Sequence, residues 1–192
     1  MKKNIGIFVS CITLFLAMSF SPGTAVAASG EDYTSQEARI ELYNQLCDSD
    51  NPEEFFSNLS PAAQETIIEM MKPSKTVEKV IDLSDKGTTA ICLLAEVYSS
   101  DGIHLYDYSQ TITWTWDGST VTGIVNWYDT ATIYALFIYF DGSETSSSGG
   151  AGYTYFWGQH EGMFYYQIYL IKIWEHYTTI SMFAYYDGSY SY

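Results

Sequence analysis

The chain of 192 residues carries 23 acidic and eight basic residues, which gives a net charge of −15 at pH 7. This charge and the lack of a basic patch exclude a nucleic-acid-binding surface and disfavour contact with anionic membranes. Aromatic residues make up 17% of the chain and about a quarter of the residues from Thr88 onward. This local excess is more than a core normally needs, so some rings are expected to reach the surface.

The N-terminus has the organisation of a secretory signal peptide. Lys2 and Lys3 precede an apolar run over 5–20, and the small residues Ala25–Ala28 provide a cleavage site. The run is short and interrupted for a membrane span, so no stable span is expected after cleavage. We predict that residues 1–28 are a signal peptide and that the protein is secreted. Cleavage removes two lysines and no acidic residue, which takes the net charge from −15 to −17.

Residues 29–75 are predicted to form a helical segment. A capping box at Thr34–Glu37 begins the first helix. The pairs Asn51–Pro52 and Ser60–Pro61 each place a capping side chain before a proline at the first helical position, and Pro73 ends the third helix. Helices this short are marginal alone, so we expect them to pack on another layer.

From residue 76 to 192 the sequence is rich in strand-forming residues. Asp-Gly turn signals punctuate it at 101–102, 117–118, 141–142 and 187–188. This pattern predicts an antiparallel β domain. The fold class is therefore α+β, with short N-terminal helices packed on an antiparallel β-sandwich or curled sheet in one compact unit.

One hairpin is specified in detail by the sequence. Residues 111–116 alternate strictly, and Asp117-Gly118 can form a two-residue loop. That register places Ile112 opposite Gly123 and predicts that Trp114 is buried while Thr113 faces the other side. The apolar runs 133–140 and 164–174 are predicted as further strands, and the Ser- and Gly-rich stretch 143–152 as a mobile loop.

If consecutive strands run antiparallel, the loops 99–105, 129–131 and 158–163 meet at one end. This places His104, His160 and Glu161 on one rim, where imidazole and carboxylate groups could bind a metal ion. The spacing lacks an H-x-H or H-E-x-x-H motif, so this prediction of a metal site rests only on the expected proximity of the loops. His160 and His176 would flank one strand, ~35 Å apart.

Aromatic side chains provide the main functional hypothesis, because 26 of the 105 residues from Thr88 onward are aromatic. Exposed Tyr and Trp side chains anchor interfaces and stack on sugar rings. The ligand-binding candidates near the low-complexity stretch are Tyr153, Tyr155, Trp157, Tyr165 and Tyr169. We predict a non-enzymatic binding or interaction protein that needs no cofactor, with an extracellular polysaccharide or a protein as ligand.

Two other function classes stay open. A glycan hydrolase needs two carboxylates facing each other across a cleft, for which Glu96 and Glu175 are the strand-borne candidates. A secreted toxin or antimicrobial protein would expose a contiguous apolar patch. The sequence has no G-x-S-x-G motif or phosphate-binding loop. It leaves open whether Cys47 and Cys92 are bridged or free.

Overall fold

The computed structural model describes residues 33–85 and 88–192, so the predicted signal peptide lies outside the described residues. Within these ranges three helices precede two four-stranded antiparallel sheets, which confirms the α+β class. The elements are α1 Gln36–Cys47, α2 Pro52–Asn58, α3 Pro61–Met70, β1 Pro73–Asp82, β2 Thr89–Ser99, β3 His104–Trp116, β4 Val121–Ile133, β5 Ile138–Gly149, β6 Tyr155–Ile168, β7 Ile171–Tyr185 and β8 Tyr190–Ser191.

Side-chain caps define where the three helices begin. The side chains of Ser35, Asn51 and Ser60 each accept a hydrogen bond from a backbone N–H three residues further on. Such caps satisfy N–H groups that the helix itself cannot pair. Asn51 and Ser60 act as predicted, whereas α1 is capped by Ser35, one residue later than a capping box begun at Thr34.

The helices contact turns at one end of the two sheets. Arg39 of α1 forms an ion pair with Asp101 in the β2–β3 turn, at 2.7 Å. The hydroxyl of Tyr169, in the β6–β7 turn, donates to the carbonyl of Glu53 in α2 at 3.0 Å. The helices therefore engage turns from both sheets, and their buried side chains belong to the same core cluster as those of the strands.

The two sheets, ordered β1-β2-β3-β4 and β5-β6-β7-β8, pack face to face as a β-sandwich. Tyr106 of β3 stacks on Phe164 of β6 with ring centroids 3.7 Å apart. The indole N–H of Trp114 donates to the carbonyl of Tyr185 in the opposite sheet at 3.1 Å. Each sheet therefore has an inner face in the core and an outer face directed away from it.

The β3–β4 hairpin has the predicted faces but a different register. Trp114 and Ile112 are fully buried and Thr113 is half-buried, as predicted. Ile112 pairs with Trp127 instead of Gly123, a shift of four residues. The turn is longer because the Asp117 carboxylate accepts backbone N–H groups from the next residues, and two bulges follow. An even shift leaves each side chain on its expected face.

Three predicted strand and loop boundaries are wrong. The apolar runs 133–140 and 164–174 each contain a turn, at 134–137 and 169–170. Phe137 and Tyr169 adopt positive φ angles of 62° and 53° there, a conformation that aromatic residues do not signal. The low-complexity residues 143–149 form the second half of β5, because backbone pairing with β6 does not depend on the side chains.

Candidate functional site

Strand β6 alternates along its whole length between a buried and a half-exposed position. Its inner positions include Gly158 and Gly162, which meet rings from the first sheet. A Cβ atom at Gly158 would lie 2.8 Å from the Trp127 indole, and one at Gly162 would lie 2.7 Å from the Tyr108 ring. Only glycine permits this approach. This close approach fixes which face of β6 is turned toward the first sheet, so the odd-numbered side chains of β6 point outward.

Four aromatic residues form one cluster on the outer face of β6 and β7. The Trp157 cluster consists of Tyr155, Trp157, Phe183 and Tyr185, which are register partners in pairs. The Phe183 ring lies 6.1 Å from Tyr155, 6.4 Å from Trp157 and 6.1 Å from Tyr185. Phe183 is 38% exposed. The cluster is thus a contiguous aromatic surface held on paired strands.

A second aromatic cluster lies further along β6. Tyr139 of β5 stacks on Tyr165 with ring centroids 5.3 Å apart. The Lys172 ammonium lies 4.5 Å from the Tyr165 ring centroid and donates to Glu175 at 2.6 Å. This contact lowers the pKa of Glu175 and raises that of Lys172. We call Tyr139, Tyr165, Lys172 and Glu175 the Tyr165 cluster. Tyr165 lies eight residues from Trp157 along β6, about 27 Å at the usual strand rise.

A polar strip, followed by the Met163–Tyr177 pair beside the Tyr165 cluster, separates the two clusters. Gln159 pairs with Ser181, and Glu161 pairs with Thr179. The Thr179 hydroxyl donates to the Glu161 carboxylate at 2.8 Å. Glu144 of β5 lies opposite Glu161 in the register. The strip therefore presents hydrogen-bond donors and acceptors together with negative charge.

The structure brings three of the five predicted ligand-binding residues, Tyr155, Trp157 and Tyr165, onto this outer face. Tyr153 is 59% exposed in the turn 150–154 beside it, and Tyr169 lies in the turn that contacts α2. Sequence reasoning missed the partners that complete the clusters: Tyr139, Phe183 and Tyr185. No local signal identifies them, because the strand register determines which rings share a face.

The structure separates the residues proposed to bind a metal. His160 lies within β6 on its inner face and is 3% exposed, whereas Glu161 points outward. His160 contacts Gln110, which lies six residues from His104 along β3, about 20 Å away. Strand pairing continues through 129–131 and 158–163, where loops were expected. In the described ranges, no group of three His, Cys, Asp or Glu residues could hold a metal ion.

His160 belongs to a polar network between the sheets. The amide nitrogen of Gln110 donates to the carbonyl of Gly158, and the amide oxygen of Gln110 accepts a hydrogen bond from Nδ1–H of His160 at 3.0 Å. Nε2 of His160 lies 3.6 Å from Asp129, whose carboxylate also accepts from the Tyr108 hydroxyl at 2.9 Å. Burial lowers the pKa of His160, and the nearby carboxylate opposes this shift. The network links the two sheets through the His160 side chain.

His160 and His176 do not flank a strand, as the sequence had suggested. His160 pairs with Ile180 and Phe164 pairs with His176, so the two histidines lie four residues apart in register on neighbouring strands. Their separation is about 13 Å at the usual strand rise rather than ~35 Å. Burial lowers the pKa of His176 as well.

A separate cluster surrounds His104 on the outer face of the first sheet. The imidazole stacks between Tyr98 and Tyr134, with centroid distances of 4.6 and 4.2 Å. Both Nε2 of His104 and the hydroxyl of Tyr134 contact the Asp107 carboxylate, at 2.7 and 2.8 Å. The hydrogen bond to Asp107 raises the pKa of Tyr134. These mutual contacts hold the imidazole in place.

The two carboxylates considered for hydrolysis do not share a cleft. Glu96 lies on β2 and pairs with Lys79, and Glu175 lies on β7 and pairs with Lys172. These lysines lower the pKa values of both glutamates. Because the glutamates occupy the outer faces of opposite sheets, they point away from each other and cannot flank one glycosidic bond.

A cavity lined in part by Leu93, Ala95 and Ile180 has a volume of about 110 Å³. A second, more open depression, lined in part by Lys75 and Tyr98, has a volume of about 490 Å³. Pockets for small molecules usually measure about 300–1,000 Å³.

Within the described residues, both Cys47 and Cys92 are free, and no helix is long and apolar enough to cross a membrane.

No family model, curated protein or solved structure matches this chain.

Proposed function

We propose that this protein is secreted and binds an extracellular polysaccharide, without catalysis, through the outer face of the second sheet. The supporting observation is the Trp157 cluster on the outside of the sandwich, in which the Phe183 ring centroid lies 6.1–6.4 Å from the centroids of the other three rings. Aromatic rings on an outer face offer a flat apolar surface on which the C–H face of a sugar ring can stack.

The paired strands lower the entropic cost of binding a ligand on this face. Tyr and Trp have only two side-chain torsions, so little entropy is lost when they bind a ligand. β6 is paired on both sides, by β5 and β7, so the backbone that carries Trp157 is already ordered. The surface is therefore preorganised, and a larger share of the contact energy appears as affinity.

The test compares binding of soluble neutral polysaccharides by residues 29–192 and by two single-ring variants. Trp157→Ala should weaken binding by ~1–3 kcal/mol, as loss of a central aromatic contact does. Tyr128→Ala is the matched control, because Tyr128 is 48% exposed but pairs with Thr111 on the outer face of the first sheet. Equal affinities for all three proteins, measured by calorimetry, would contradict the proposal.

Salt dependence distinguishes a neutral polysaccharide from a protein partner. Residues 29–192, with a net charge of −17 once Lys2 and Lys3 are removed, would attract a basic protein electrostatically, and salt would weaken that attraction. Binding of an uncharged polysaccharide should change less than ~2-fold when the Debye length falls from about 10 Å to about 3 Å. A large loss of affinity in high salt would favour a protein ligand.

A further inference from the structure

We infer that the outer face of the second sheet contains two aromatic subsites that bind one extended, uncharged polysaccharide chain lying along β6. This inference rests on the proposed function and specifies the class of ligand. The Trp157 cluster would be one subsite and the Tyr165 cluster the other, with the polar strip between them.

The position of the clusters favours a linear ligand. Trp157 and Tyr165 lie on the same strand and the same face, about 27 Å apart. β6 pairs with β5 and β7 along most of its length, so the spacing of the two clusters is fixed before a ligand arrives. A mono- or disaccharide can cover only one cluster, whereas an extended chain can reach both.

The surface between the clusters suits a hydroxylated polymer. The Gln159 side chain carries both amide donors and an amide acceptor, the Ser181 hydroxyl both donates and accepts, and Glu161 accepts. Sugar hydroxyls are also both donors and acceptors, so they can replace the water that these groups lose on binding. Apolar side chains placed over the same groups would leave them without partners.

Charge restricts the ligand further. Glu144 and Glu161 lie opposite each other in the polar strip, and Lys172, beside Tyr165, is already paired with Glu175. A polysaccharide bearing carboxylate or sulfate groups would place like charges over this pair, which costs affinity. An uncharged chain does not encounter this repulsion.

The experiment is a length series. Calorimetry would measure the affinity of residues 29–192 for cello-, xylo- and manno-oligosaccharides from disaccharide to octasaccharide, with polygalacturonate as the anionic comparison. For the series that binds, affinity should rise ~10-fold or more once the oligosaccharide spans both clusters, because the second contact becomes intramolecular. Polygalacturonate should bind more weakly than the neutral chain.

Variants assign the increase to the second cluster. Tyr165→Ala and Tyr139→Ala should each remove most of the length-dependent gain, while Trp157→Ala should weaken both short and long ligands. Tyr128→Ala is again the control for an exposed ring on the other sheet. Far-ultraviolet circular dichroism and a melting curve show whether each variant is folded. If the Tyr165→Ala protein does not fold, Tyr139→Ala provides the test.

Three outcomes overturn the inference. Affinity that does not depend on oligosaccharide length, with Trp157→Ala still harmful, would leave the proposed function standing and remove the second subsite. Tight binding of polygalacturonate would contradict the uncharged ligand. Failure of every saccharide to bind would contradict the proposed function and the inference together.

Discussion

Single residues at the interface between the sheets determine how closely the sheets approach. Gly158 and Gly162 leave room for the rings of Trp127 and Tyr108, and Tyr106 stacks directly on Phe164. Protein interiors are close-packed and leave little free volume for added atoms. The outward direction of Trp157 depends on this packing, since β6 can present its odd-numbered side chains only while its glycines face inward.

Gly162→Ala should lower the free energy of unfolding by ~1–3 kcal/mol, because the new methyl group would overlap the Tyr108 ring. Gly123→Ala is the matched control, since its Cβ would meet only the Thr115 hydroxyl at an ordinary 3.4 Å. Urea denaturation of both variants is the measurement. A Gly162→Ala protein as stable as the control would show that the sheets can separate without cost.

Trp114→Ala should lower the free energy of unfolding by ~3–5 kcal/mol, because the ring is fully buried and its loss leaves a cavity. Thr113→Ala, on the other face of the same strand, should cost less than ~1 kcal/mol. Chemical denaturation compares the two. Similar midpoints would mean that the assignment of faces on β3 is incorrect.

At the scale of elements, β6 combines a structural face with a candidate binding face. Its inner residues join the core and the His160 network, and its outer residues supply rings to both clusters. The helices pack at the end of the sheets that carries the β2–β3 and β6–β7 turns. Leu46 of α1 and Ile67 and Met70 of α3 are fully buried there. Their removal would expose apolar surface that the strands do not cover.

A protein that begins at Pro73 should fail to fold cooperatively. It lacks the helices whose side chains share the core cluster with the strands, and exposed apolar surface favours aggregation. Thermal unfolding followed by near-ultraviolet circular dichroism is the measurement, with residues 29–192 as the control. A sharp unfolding transition in the shorter protein would show that the sandwich is stable without its helices.

The free energy of unfolding should fall as the pH drops below about 6.5, the ordinary pKa of histidine in an unfolded chain. Burial lowers the pKa values of His160 and His176 in the folded state, so the unfolded chain binds more protons in this range and is favoured by acid. Asp129, beside His160, opposes part of the shift. The stabilisation from neutral imidazoles is fully present above that pH.

Urea denaturation between pH 7.5 and pH 5 measures this dependence, and His160→Gln should reduce its slope, because glutamine does not titrate. The comparison isolates the contribution of His160, while His176 retains its own. Identical slopes in the two proteins would assign the dependence to other groups.

At the scale of the whole molecule, charge and the predicted export signal describe the setting in which binding would occur. Loss of residues 1–28 would leave a chain with a net charge of −17. Such a charge keeps separate molecules apart in solution and favours uncharged or basic ligands over anionic ones. An outer aromatic face on this acidic background is consistent with the proposed polysaccharide ligand.

Expression of the full chain in an export-competent bacterial host should yield a secreted protein whose N-terminus is Ala28 or Ser29, because the cleavage site follows the small residues 25–28. Mass spectrometry of the culture supernatant gives the terminus directly. Recovery of an intact Met1 terminus in the membrane fraction would contradict both the signal peptide and the proposed secretion.

Local signals in the sequence determined the elements and their faces. The capping residues Asn51 and Ser60, each followed by a proline, located two helix starts, because a cap and its helix lie within a few residues of each other. The alternation before Asp117 identified the buried face of β3. Tyr155, Trp157 and Tyr165 were recognised as candidates because aromatic excess is visible in composition.

Only the tertiary structure decided the register, the strand ends and the residues that share a surface. The bulges in β3–β4, the turns at Phe137 and Tyr169 and the pairing of β5 with β6 depend on contacts between residues distant in sequence. The register placed Phe183 beside Trp157 and moved His160 into the interior, away from His104. A two-residue alternation determines which side of its own strand a residue takes, but the partner strand determines its neighbours.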